Sequence, residues 1–124
     1  LIQTIYEYNY VGAKGAPLGT GVEVFTMDAL SESHKKAATE PEHEHVTPYI
    51  YNHPEQFQVH RKEFGLPSYR LTVDEECDYE LANIIYNALY KGTPIPNKEV
   101  YTYLELHPDL VAINTEVHQK NINE

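Results

Sequence analysis

Asp74 is the residue best placed to do chemistry. It ends the alternating run Tyr69-Arg-Leu-Thr-Val73 and stands directly before an acid-rich amphipathic stretch that reaches Tyr90. Tyr69, Leu71 and Val73 alternate with Arg70 and Thr72, the period of a strand with one buried face. Ligands of open α/β sheets sit outside the carboxyl ends of strands. A carboxylate at this junction is therefore where a metal ion or a phosphate-bearing ligand would be met. The structural reading is that Asp74 caps the following helix, since Asp is a favoured N-cap. Asp78 reads as part of that helix's acidic first turn, which suits the helix dipole. Arg70 could contact an anion or pair with a carboxylate. Glu23 lies between Val22 and Val24, and strand alternation points it away from the face those valines would bury.

The histidines raise a second possibility. His43, His45, His53 and His60 fall within 18 residues. No His-Glu-x-x-His occurs, and no two histidines stand four apart, the helical spacing of zinc sites. The prolines around them argue for irregular backbone, so a zinc site is the weaker reading. Cys77, at a helix opening, has no His or Asn partner suggested by spacing. The glycines between Gly12 and Gly21 do not form Gly-x-x-x-x-Gly-Lys-Ser/Thr, so they are assigned to turns.

Several elements must position these residues. Residues 1–8 read as a helix end and 12–21 as a loop. A short strand over 22–25 precedes a helix over 27–38, with Thr26 as N-cap and Lys35 and Lys36 in the last turn. Pro41, Pro48 and Pro54 leave 40–56 irregular or one-turn helical. Strands follow over 57–63 and 69–73. Leu81, Ile84, Ile85, Ala88 and Leu89 form one face of a helix over 76–91, with Gly92 beyond its end. Asn97 can cap a helix carrying Val100, Tyr103 and Leu104. Pro108 opens a last helix with Leu110, Ile113 and Val117.

At 124 residues the chain is one domain at most, or part of one. With 9 basic and 19 acidic side chains its formal net charge is −10. That balance argues against nucleic-acid binding, which relies on Lys and Arg, and against an anionic membrane. No apolar run approaches the roughly 20 residues needed to span a bilayer, and no signal peptide is visible. A single cysteine forbids an internal disulfide, and a cytoplasmic location is expected. Eleven tyrosines and no tryptophan suit a half-buried sheet or an interface.

Four blocks in order carry a resemblance. They are Pro17-Leu-Gly-Thr-Gly-Val-Glu-Val-Phe25, Glu44-His-Val-Thr-Pro-Tyr-Ile50, Arg70-Leu-Thr-Val-Asp-Glu-Glu-Cys-Asp78 and His107-Pro-Asp-Leu-x-x-Ile-Asn114. Together they resemble the C-terminal half of the cytidylyltransferase family, which includes the CMP-sugar synthetases, in its spore coat polysaccharide biosynthesis protein F branch. The chain departs from that branch's pattern at Gly21, where Asp is usual, at His43, where Arg is usual, and at Glu75-Glu76, where Thr-Pro is usual. The family's N-terminal nucleotide loop, near Leu-Pro-Gly-Lys, occurs nowhere in these residues, and the chain begins without an initiator Met. The resemblance therefore implies half an enzyme: a single partial domain over 1–124.

The fold it implies is α/β, the C-terminal part of a Rossmann-like nucleotidyltransferase fold, with short strands and about four helices. It implies a nucleotidyltransferase of surface polysaccharide biosynthesis that moves a cytidylyl group from CTP to a sugar acid in the full-length parent. Asp74 matches one of two carboxylates that hold Mg2+ against the nucleotide phosphates. Glu23, Glu44, His45 and Arg70 are the substrate-binding candidates. Nucleotide and sugar are the expected partners, with no nucleic acid and no membrane. Unpaired strand edges lead us to expect a homodimer. The alternative is a non-catalytic interaction or dimerisation module completed by a partner.

Overall fold

The structure, a computed structural model, describes residues 4–118. Backbone contacts divide them into two compact units, one over 4–14 and 21–64, the other over 15–20 and 65–118.

The first unit is built on a three-stranded mixed sheet. Its order is β2 (Glu23–Phe25), β1 (Tyr10–Lys14), β3 (Val59–Glu63). β1 pairs antiparallel with β2, with Tyr10 opposite Phe25 and Gly12 opposite Glu23. It pairs parallel with β3, with Tyr10 opposite Val59. Helices α1 (Met27–Lys36), α2 (Glu40–Glu44) and α3 (Pro48–Asn52) lie between β2 and β3 in sequence, as a parallel pairing requires a crossover rather than a tight turn. α1 starts where the sequence says it should: the Thr26 hydroxyl accepts the Ala29 N–H at 3.1 Å. α2 and α3 are the one-turn helices that the prolines allow. Tyr10, Ala29, Tyr49, Ile50 and Phe57 form the core, with Phe25, Tyr51 and Val59 packed against it.

One expectation for this unit is corrected. The loop expected from residue 12 begins later, because β1, the central strand, runs through Lys14. Gly12 is in this strand for a packing reason: a Cβ there would lie 2.7 Å from the Tyr10 hydroxyl oxygen. Its absence lets the Tyr10 ring lie along the strand. Glu23 points away from the face of Val24, as alternation requires, and Val24 shares that face with the buried Val11. Directly paired residues share a sheet face, so Glu23 joins Gly12 on the side of Tyr10 and Phe25, while Val22 is 55% exposed.

The second unit is mostly helical: α4 (Glu76–Leu89), α5 (Asn97–Leu106) and the single turn α6 (Pro108–Val111). Leu81, Ile85 and Leu104 are its buried centre, with Leu71, Val100 and Ile113 among the residues packed on them. The strand expected over 69–73 is reduced to one parallel bridge between Leu18 and Arg70. Leu18 donates to Tyr69 O at 2.9 Å, and Leu71 donates back to Leu18 O at 2.8 Å. The bridge cannot lengthen, because Pro17 has no N–H to give and Gly19, at φ +89°, leaves extended backbone. A Cβ on Gly19 would sit 2.5 Å from Leu71 O, so glycine also permits the close approach. The last helix stops at Val111 rather than continuing to Val117.

Candidate functional site

In the second unit, residues 70–78 fold around one buried carboxylate, that of Asp78. Arg70 reaches it with two nitrogens, Nε to Oδ1 and Nη2 to Oδ2, both at 2.8 Å. Asn114 donates to Oδ1 at 2.7 Å and to Arg70 O at 3.1 Å. Backbone N–H groups of Asp74 and Glu75 both donate to Oδ2 at 3.1 Å. Local sequence explains the last pair. Glu75 is the N-cap of α4 and Asp78 its N3 residue, the position from which an acidic side chain can reach back to the cap N–H.

Burial disfavours charge on a carboxyl, but here its partners prevail. The hydrogen bond from Arg70, with those from Asn114 and the two backbone amides, holds the Asp78 carboxyl well below the usual carboxylate range. The Arg70 guanidinium is raised in turn, chiefly by Asp78.

Asp74 sits on top of this arrangement. Its side chain is 56% exposed, against 10% for Arg70 and 0% for Asp78. Its Oδ2 accepts from Arg70 Nη2 at 3.1 Å and from Thr72 Oγ1 at 3.3 Å. Asp74 is not the helix cap, because Glu75 holds that position. Mg2+ takes hard oxygen ligands, usually one or two carboxylates completed by phosphate oxygens and water. An exposed carboxylate with one oxygen tied back fits that donor set. Asp78 does not fit it, because both its oxygens are already taken by protein donors. Among the described residues, no group of three His, Cys, Asp or Glu side chains could hold a metal by itself.

A cavity of about 280 Å³ opens beside this network, lined by Arg70, Thr72 and Asp78 at one end and by Ile85, Ile95 and Val100 along the helices.

The other candidates belong to the first unit. Glu23 accepts hydrogen bonds from the Tyr10 hydroxyl, across Gly12, and from Thr47 Oγ1, the latter at 2.9 Å. Burial, then the bond to Glu23, pushes the Tyr10 phenol well above its ordinary value. Glu44 and His45 are exposed and line a shallow pocket of about 210 Å³ with His34, His43, Leu30 and Ser33.

The four sequence blocks are thus joined in pairs. The first meets the second through Glu23 and Thr47. The third meets the fourth through Asp78 and Asn114. Sequence reasoning placed Asp78 in an acidic first turn and named no role for Asn114. The signal available was that Asp78 ends the third block, which contains Asp74, and Asn114 ends the fourth.

No family model matches the chain. It is 36% identical to the uncharacterized protein MJ1063 of Methanocaldococcus jannaschii, over 94% of this chain and 49% of that protein. It is 35% identical to the spore coat polysaccharide biosynthesis protein SpsF of Bacillus subtilis, over 83% of this chain and 44% of that protein. The chain therefore spans about half the length of the curated relatives it matches. Its fold matches a cytidylyltransferase from Leptospira borgpetersenii serovar Hardjo-bovis with a TM-score of 0.81 at 18% identity, over 96% of this chain and 51% of that one.

Proposed function

Since the chain is a homologue of SpsF and has a cytidylyltransferase fold, we propose that it is the C-terminal half of a nucleotidyltransferase that transfers a cytidylyl group from CTP to a sugar acid in surface polysaccharide synthesis. The observation that carries this reading is Asp74, an exposed carboxylate tied back on one oxygen and seated on a buried ion pair. Asp74 would be one Mg2+ ligand. Bound there, Mg2+ would neutralise charge on the nucleotide phosphates and the leaving pyrophosphate.

The residues of this chain contribute mainly positioning and electrostatics. Arg70 and Thr72 orient the Asp74 carboxylate. Glu23, held by Tyr10 and Thr47, would accept a substrate hydroxyl, and Glu44 and His45 would be further substrate contacts. A sugar oxygen would attack the α-phosphorus of CTP, and pyrophosphate would leave. The protein is proposed to act as a homodimer in the cytoplasm. Among the described residues no helix is long and apolar enough to cross a membrane.

The test is pyrophosphate release from CTP with Mg2+ and candidate sugar acids, measured on the full-length parent. CTP-dependent release that needs the sugar acid and Asp74 supports the reading. Robust turnover by residues 1–124 alone would overturn the half-enzyme view. No turnover by the parent, with tight self-association of this chain, would favour a non-catalytic dimerisation module.

A further inference from the structure

Asp78 is buried, with both its oxygens held by protein donors, and it shares Arg70 with the exposed Asp74. Two carboxylates and one guanidinium leave the Asp74–Arg70–Asp78 group with one net negative charge. Its distribution is uneven. Among the described residues, Arg70 gives two nitrogens to Asp78, each at 2.8 Å, and one to Asp74, at 3.1 Å. The buried carboxylate takes the fork of the guanidinium, and the exposed carboxylate carries the surplus charge.

We infer that Asp78 is a positioning residue that keeps Asp74 available to a divalent cation, an inference that rests on the reading of Asp74 as a cation ligand. It acts in two ways. By accepting the N–H groups of Asp74 and Glu75 it fixes the backbone from which the Asp74 side chain projects. By engaging the Arg70 fork it leaves Asp74 bound, among the described residues, through Oδ2, with Oδ1 for the cation. Without the Asp78 charge, Arg70 would turn its fork to Asp74. A bidentate Arg–carboxylate pair occupies both oxygens and cancels the local charge.

The experiment is an Mg2+ titration of the chain, followed by the side-chain carboxyl carbon resonances, with far-ultraviolet circular dichroism as the check on folding. In the wild-type chain Mg2+ should move the Asp74 resonance and leave that of Asp78 in place. Asp78→Asn should weaken Mg2+ binding at the intact Asp74 by at least about tenfold, the scale on which a nearby opposite charge alters a carboxylate. Adding Arg70→Gln to Asp78→Asn returns the net charge to one negative and leaves no buried unpaired ion. That double variant should bind Mg2+ more tightly than Asp78→Asn alone, because the bidentate competitor is gone.

If Asp74→Asn leaves Mg2+ binding unchanged, the cation reading of Asp74 itself falls. If Asp74→Asn removes binding but Asp78→Asn binds like wild type, the inference fails and that reading stands. It fails equally if the double variant binds as weakly as Asp78→Asn. Should Asp78→Asn not fold, the wild-type titration still decides: an Asp78 resonance that moves with Asp74 makes Asp78 a ligand and overturns the inference.

Discussion

Replacing Asn114 tests whether the buried carboxylate network holds the second unit together. The side chain is 3% exposed, and its amide nitrogen donates to two acceptors, Asp78 Oδ1 at 2.7 Å and Arg70 O at 3.1 Å. Both neighbours are acceptors, which fixes the amide orientation. A hydrogen bond to a charged group contributes about 1.5–3 kcal/mol and a neutral one about 0.5–1.5. Asn114→Ala should therefore cost about 3 kcal/mol. At about 4 °C per kcal/mol for a chain of this size, the melting temperature should fall by about 12 °C. Asn114→Asp keeps the shape but sets a second carboxylate against Asp78. Like charges so close raise one carboxyl's pKa, so this variant should be the less stable at neutral pH and should recover towards the alanine variant near pH 4. Urea unfolding followed by far-ultraviolet circular dichroism measures both, because α4 and α5 carry much of the helical signal. An alanine variant within about 0.5 kcal/mol of wild type, the range of ordinary surface changes, would refute the reasoning. So would an aspartate variant as stable as wild type at neutral pH.

Asp74→Asn and Asp74→Ala should both leave stability within about 1 kcal/mol, because Asp74 is not the cap and its ion pair is exposed. In the full-length parent both should lower turnover at least about a hundredfold; turnover kept by either variant at saturating Mg2+ would remove Asp74 from the site. Acid should weaken the fold through Asp78. Its carboxyl is lowered in the folded chain, so its contribution is complete above the unfolded value near 4 and is lost as the pH falls below it. Alkali should weaken the fold through Tyr10. Its phenol is raised, so its contribution is complete below about pH 10 and is lost as the pH rises further. Urea midpoints across pH check both arms, and a midpoint that stays flat at either end contradicts the corresponding one. Sedimentation should find the chain self-associated at micromolar concentration; a compact monomer that unfolds cooperatively would contradict the homodimer.

Much of the local structure was legible because its signals are local. Thr26 caps α1 as its position says, and the apolar spacing of Leu81, Ile85 and Leu89 marks α4. The four blocks identified the fold because their order is carried by the sequence itself. What could not be read depends on partners far along the chain. Gly12 looks like a turn residue until the Tyr10 ring that overlies it is known. Tyr69–Val73 has the alternation of a strand, but alternation does not say whether a partner with free N–H groups exists, and Pro17 and Gly19 deny it one. Asp78 reads as a helix-opening acid, and it is one. Its second role needed Arg70, eight residues before it, and Asn114, 36 residues after it.

That last separation has a kinetic meaning. The helical turns of α4 and α5 involve near neighbours and can form in microseconds or less. The Asp78–Asn114 bond spans 36 residues and the Asn114–Arg70 bond 44, so both must wait for a long loop to close. The carboxylate that holds Asp74 is therefore completed late, when the end of the unit arrives to supply its amide. An intermediate with both helices formed would still present Arg70, Asp74 and Asp78 as a loose charged cluster. With Asp74 as the proposed cation ligand, cation affinity should then appear with the slowest folding phase of this unit, which would make it a reporter of the final docking step.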